Sequence, residues 1–281
     1  MSDGAEPSRK GPTFYQSLIS GGLAGTSVDL LFFPIDTVKT RLQSSQGFLR
    51  AGGFKGIYNG VGSVIVGSAP GAALFFCTYD TLKKHTPLPA HMVSMTHMLA
   101  ASLGEVTACL VRVPTEVIKT RMQTASYGNL AHSSFSAAKL VLGQEGIRGF
   151  YRGFGITIMR EIPFTSLQFP LYEWLKLRLS EPLGGRKLYA HEAAVCGSVA
   201  GGFAAAATTP LDVLKTRIML DIKSTSKTSH LSIFSRTAGI CRNEGIGALF
   251  SGVVPRTMWI STGGAVFLGV YEWAIHGLSG Y

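Results

Sequence analysis

The sequence predicts an all-α membrane protein: six transmembrane helices in three pseudo-three-fold repeats, each pair of spans joined by a short surface helix. Three observations carry this. The 281 residues are 46% hydrophobic and only 15% charged, with a mean hydropathy of +0.25, a balance that favours a bilayer protein. Six apolar segments recur along the chain. One charged motif opening on proline is written three times.

The segments Val61 to Tyr79 and Ala193 to Leu211 hold no charged residue, and each approaches the roughly 20 residues that cross a bilayer core. Phe14 to Ile35, Met92 to Val111, Gly153 to Tyr172 and Thr257 to Tyr271 complete the six, three of them carrying Asp29, Glu105 or the pair Arg160 and Glu161. Pairs of glycines four apart, Gly21 with Gly25 and Gly197 with Gly201, let helix backbones approach closely in lipid.

The net charge of +10 does not indicate nucleic acid, because the basic residues are scattered through loops without stacking aromatics. More than half of the 26 Lys and Arg lie in the connections 39–60, 115–152 and 215–242, which should therefore face the positive-inside compartment. Cys77, Cys109, Cys196 and Cys241 show no C-x-x-C spacing, so small packing residues are expected, not a disulfide framework or zinc site. The first ten residues contain Asp3 and Glu6 and no apolar run, so neither a secretory signal nor an Arg-rich transit peptide is expected. The chain lacks H-E-x-x-H, G-x-S-x-G and P-loop motifs, which argues against an enzyme. No cofactor or metal is expected.

The three copies of the motif are Pro34-Ile-Asp36-Thr-Val-Lys39-Thr-Arg41, Pro114-Thr-Glu116-Val-Ile-Lys119-Thr-Arg121 and Pro210-Leu-Asp212-Val-Leu-Lys215-Thr-Arg217. Each ends an apolar span. A second signature follows each, closing on Tyr58-Asn59-Gly60, Tyr151-Arg152-Gly153 and Phe250-Ser251-Gly252, and Tyr79-Asp80, Tyr172-Glu173 and Tyr271-Glu272 stand at one common offset beyond. Repetition at this period defines one domain, 1–281, of three units at about 12–88, 91–181 and 188–278. Proline bends a spanning helix, and three bends at equal depth would converge on one axis, where the acid and lysine of each motif can pair between repeats.

These motifs resemble the signatures of the mitochondrial carrier family over nearly the whole chain. The resemblance implies a six-helix inner-membrane bundle with surface helices in the matrix, termini toward the intermembrane space, and alternating access. It implies a matrix gate of Asp36 with Lys119, Glu116 with Lys215 and Asp212 with Lys39, braced by Gln43 and Gln123, Met219 standing where a third glutamine would be. The cytosolic gate would use Asp80 with Lys83 and Glu173 with Lys176, and Glu272 would lack its cation because Ile275 replaces it. The tyrosine-basic-glycine ends resemble cardiolipin-contacting motifs, with Asn59 and Ser251 departing from the pattern. A monomer is implied.

An asymmetric solute must be read where the repeats differ. Measured from the prolines, Asp29 aligns with Cys109 and Ala205, Glu105 with Gly25 and Gly201, and Arg112 with Phe32 and Thr208. Asp29 is two turns before Asp36, so both face the cavity. Measured from the signature glycines, Arg160-Glu161 aligns with Gly67-Ser68 and Trp259-Ile260, and Gln168 with Phe75 and Phe267. Intramembrane charges are functional by default, although the pairs Arg160 with Glu161 and Glu105 with Arg112 also read as structural glue. In the family, Arg followed by an acid at the fourth helix resembles the contact point of amino-acid carriers.

Arg160 and Glu161 suit a carboxylate and an ammonium, Asp29 a second positive charge, and Phe75, Trp259 or Phe267 a stacked base or sulfonium. S-adenosylmethionine combines these groups. Likeness within the family in Ser27-Val-Asp29-Leu, Arg160-Glu-Ile-Pro163 and Gly201-Gly-Phe-Ala implies the same solute, imported chiefly in exchange for S-adenosylhomocysteine. Another zwitterionic or cationic amino acid, or a lipid-regulated channel or uncoupler, are the competing readings.

Overall fold

The computed structural model describes residues 14–85, 93–183, 189–221 and 232–279. The first repeat contributes helices α1 (Phe14–Gln43) and α2 (Val61–His85). The second contributes α3 (Val93–Gln123), α4 (Ser134–Glu145), the single turn α5 (Ile147–Phe150) and α6 (Phe154–Ser180). The third contributes α7 (Ala190–Ala207), α8 (Thr209–Leu220), α9 (Ile233–Glu244) and α10 (Val253–Ser279). Among the described residues there is no strand.

At 1.5 Å per residue the 30 residues of α1 reach about 45 Å, longer than a bilayer core. Among the described residues, however, no single helix is long and apolar enough to cross a membrane; Glu192–Ala207 and Thr209–Leu220 qualify only as a pair bent by 61°. The long helices are diluted by their own charges, such as Asp29 and Asp36 on α1 and Glu105, Arg112 and Glu116 on α3, which turn toward a shared interior.

Each long helix touches the next, α1 on α2, α2 on α3, α3 on α6, α6 on α7, α7 on α10, and α10 back on α1, closing a ring. Small residues set the spacing. Gly104 lies against the Phe75 ring and Gly201 against Ile260. On α7 and α10, Ser198 and Ser261 each donate to the other's carbonyl, at 2.6 and 3.0 Å, a polar clamp suited to surroundings without water.

The repeats differ in two ways that the sequence reading missed. The first has no surface helix: residues 44–60 run in turns, with Gly47, Gly52, Gly53, Gly56 and Gly60 all at positive φ. So many glycines in so short a segment favour turns over a helix. The third breaks its odd helix at Thr208, whereas α1 and α3 continue through Pro34 and Pro114. Thr208 and Thr209 hydroxyls donate to the Ala204 and Ala205 carbonyls at 2.7 Å, supporting the backbone at that break.

The glycine that closes each second signature has one job in all three copies. Gly60, Gly153 and Gly252 sit at φ of 93, 88 and 76° at the start of an even helix. A Cβ at Gly60 would press on the Lys119 carbonyl, at Gly153 on Met219, and at Gly252 on the Lys39 carbonyl. Even helices therefore begin against the charged turn of a neighbouring repeat.

Candidate functional site

The ring encloses a cavity of about 620 Å³. One end is closed by the residues that follow the three prolines. Lys119 Nζ lies 2.9 Å from Asp36, Lys215 Nζ 2.7 Å from Glu116, and Lys39 Nζ 2.7 Å from Asp212, every pair joining two repeats. Gln43 Nε2 donates to Asp212 and Gln123 Nε2 to Asp36, each at 3.0 Å. Met219 supplies no such donor; its side chain packs with Cys109, Val113 and Val117. Phe33 stacks on Tyr58 and lies under Lys119 Nζ at 5.3 Å, a support present in the first repeat alone among the described residues.

A second ring, absent from the sequence reading, lies beyond the first. Arg41 Nε donates to the Gln123 carbonyl at 2.7 Å, Arg121 Nε to Met219 at 3.0 Å, and Arg217 Nε to Gln43 at 3.2 Å. The signal was available: an arginine stands seven residues after every proline.

Above the closed end, the walls carry the residues at which the repeats disagree. Asp29, Phe75, Glu105, Arg112, Arg160 and Trp259 all line the cavity. Arg112 holds Glu105 through Nη1 and Nη2, at 2.6 and 3.3 Å, and Arg160 holds Glu161. Arg160 also stands 3.8 Å from Asp212, linking the wall to the closed end. Asp29 is different. Its Oδ2 is 3.1 Å from the Ser68 hydroxyl, which also lies 2.8 Å from the Val64 carbonyl, and among the described residues no basic side chain pairs with it.

Several expected residues fall elsewhere. Gln168 does not line the cavity: its amide nitrogen approaches Gly201 of α7, and it shares the helix face of Glu161, seven residues before it, which is not a wall residue either. Glu161 is reached through its pair with Arg160, not as a wall residue. At the other end, Glu173 and Lys176 pair at 3.1 Å within α6, both toward solvent, so they do not join repeats. Being three apart on one helix, they meet without any neighbour's help. The side chains of Asp80, Lys83, Glu272 and Phe267 lie outside the described residues. Cys77 is exposed, unlike Cys109 and Cys196. Ser68 and Arg256 also line the cavity and were not among the expected residues.

The family model for mitochondrial carrier protein matches residues 10–88, 90–183 and 186–281. The mitochondrial S-adenosylmethionine carrier protein of Mus musculus is 52% identical, covering 94% of both chains. That of Danio rerio is 52% identical over 92% of this chain and 96% of its own, and the S-adenosylmethionine mitochondrial carrier protein homolog of Drosophila melanogaster 50% over 92% and 91%. The chain belongs to the mitochondrial carrier family and is a multi-pass transporter of the mitochondrial inner membrane.

Proposed function

We propose that this carrier imports S-adenosylmethionine into the matrix, chiefly in exchange for S-adenosylhomocysteine, by alternating access. The observation that carries the reading is Asp29, which among the described residues has no cation, in walls where Asp36, Glu105, Glu116 and Asp212 each have one. A solute with a positive group beyond a zwitterionic head would give Asp29 its partner. Relatives at 50–52% identity whose names state this solute support it.

The α-carboxylate would draw Arg160 away from Glu161, and the ammonium would take Glu161, replacing one pair with two charge-assisted hydrogen bonds. The sulfonium would lie toward Asp29, with adenine on Trp259 or Phe75. Asp36–Lys119, Glu116–Lys215 and Asp212–Lys39 would form the matrix gate, and tighter binding of the solute as the state changes would offset their disruption. With the matrix side closed and Glu173 paired inside its own helix, this conformer would receive solute from the cytosolic side. The carrier would act as a monomer contacting cardiolipin near Tyr151, Arg152 and Gly153.

Purified protein in liposomes tests the reading. Uptake of labelled S-adenosylmethionine should saturate, accelerate when S-adenosylhomocysteine is loaded inside, and be inhibited by either compound outside. Inhibition by lysine or arginine instead would replace the solute. Uptake that fails to saturate would mean a channel.

The gate's asymmetry makes its own prediction. Gln43 and Gln123 brace two pairs and Met219 leaves Glu116–Lys215 without a donor. Met219→Gln keeps the side-chain length and adds about 1 kcal/mol of hydrogen bonding to the closed side. Maximal exchange should fall about fivefold while thermal stability in detergent rises; a faster, less stable variant would contradict the brace.

A further inference from the structure

Arg256 stands four residues past Gly252, where the other repeats carry Val64 and Thr157. It is 1% exposed. Its Nη2 donates to Thr208 Oγ1 at 2.9 Å and its Nε lies 3.9 Å from Asp212 Oδ2, while Nη1 is buried without an acceptor. A buried guanidinium with an idle N–H beside a carboxylate is an incomplete bidentate contact.

Arg256, Thr208 and Asp212 all belong to the third repeat. The groups directly on Asp212 Oδ2, Lys39 Nζ at 2.7 Å and Gln43 Nε2 at 3.0 Å, come from the first. Arg160 of the second repeat stands 3.8 Å from Asp212 Oδ1. If the repeats part on the matrix side, Lys39 and Gln43 leave with α1 and Arg160 with α6, whereas Arg256 stays with Asp212. The break at Thr208 lets α8 turn toward α10 at the point Arg256 already holds. A carboxylate stripped of its cation in such surroundings is strongly disfavoured.

We propose that Arg256 is a positioning residue, the resident counter-ion of Asp212. It takes up the carboxylate through Nε and Nη1 as Lys39 departs, so this gate pair opens without leaving a bare acid. Asp36 and Glu116 have no cation at the equivalent place in their own repeats, where Val64 and Thr157 stand. The third pair is thereby the one that can part without stranding its acid. The proposal rests on the alternating-access reading.

The test is a cycle of Arg256→Gln, Arg256→Lys, Asp212→Asn and the double variant R256Q/D212N. Arg256→Gln should lower the maximal exchange rate about tenfold or more with half-saturation within about twofold, and Arg256→Lys should recover most of the rate. In detergent, Arg256→Gln should lower the thermal midpoint of the ligand-free protein, and the drop should vanish in the Asp212→Asn background. A drop of equal size in both backgrounds, a half-saturation rising in proportion to the lost rate, or equal failure of Gln and Lys would overturn the proposal. If Arg256→Gln does not fold, the double variant must; its failure to fold also overturns it. Wild type exchanging some other solute would refute the substrate assignment while leaving the midpoint cycle readable.

Discussion

Asparagine in place of Asp29 is expected to lower kcat/KM for S-adenosylmethionine at least about 30-fold, and that for S-adenosylhomocysteine by less than about threefold. The difference lies in the two solutes. Both carry an α-carboxylate and an ammonium, but only the first has a sulfonium, and the second positive charge needs the acid that Arg160 and Glu161 do not supply. Asp29 is placed for this because Ser68 gives it a hydroxyl, and no cation competes among the described residues. Removing one member of a desolvated charge pair costs about 2 kcal/mol or more, which is the origin of the 30-fold figure. Asparagine preserves the shape and the contact with Ser68, so folding should be unchanged. Equal losses for both solutes would mean that Asp29 reads the shared groups; no loss for either would remove it from the site.

What the sequence could show depended on whether a feature repeats. The gate pairs follow from a motif in three copies, because pseudo-symmetry turns a spacing along one helix into a contact between helices. Cavity residues such as Asp29 and Arg112 were found by the opposite route, as breaks in that symmetry. Gln168 failed because it takes its face from Glu161, seven residues before it, and Glu161 meets the cavity only through Arg160. Arg256 breaks the symmetry too, against Val64 and Thr157, but it lies three residues before the register of Arg160, and its value depends on Asp212, distant in sequence. The missing surface helix of the first repeat was legible in its glycines, but the symmetry of the other signatures outweighed them.

The second large effect concerns folding, in the ring of arginines beyond the gate. Arg121→Ala is expected to be the most destabilising of the three, followed by Arg41→Ala and then Arg217→Ala. Arg121 is fully buried and holds Glu145, itself 1% exposed, as well as the Tyr127 hydroxyl at 2.6 Å and the Met219 carbonyl of the next repeat. Its loss leaves Glu145 with Arg152 at 3.1 Å as the remaining cation, and breaking a buried pair of this kind costs about 3–5 kcal/mol. Among the described residues Arg41 has no acid, since Gly52 stands where Glu145 and Glu244 stand; it holds the Gly53, Gly56 and Gln123 carbonyls instead, so its loss removes hydrogen bonds and strands no charge among them. Arg217 pairs with Glu244 through two bonds of 2.5 and 2.7 Å, but Glu244 is 41% exposed and water takes over most of the lost contact, leaving about 1 kcal/mol. The Arg217 hydrogen bond holds the Glu244 carboxyl below its ordinary range. A depressed carboxyl stabilises the fold above its ordinary pKa, and that contribution disappears as pH falls through the folded-state value. The part of the Arg217→Ala penalty that comes from Glu244 should therefore be present at neutral pH and lost in acid, leaving the part that comes from the Gln43 carbonyl. Thermal unfolding of the three variants in detergent, at pH 7 and at a pH below the ordinary carboxyl range, measures both the order and the pH effect; a penalty for Arg121 no larger than that for Arg217 would contradict the burial argument.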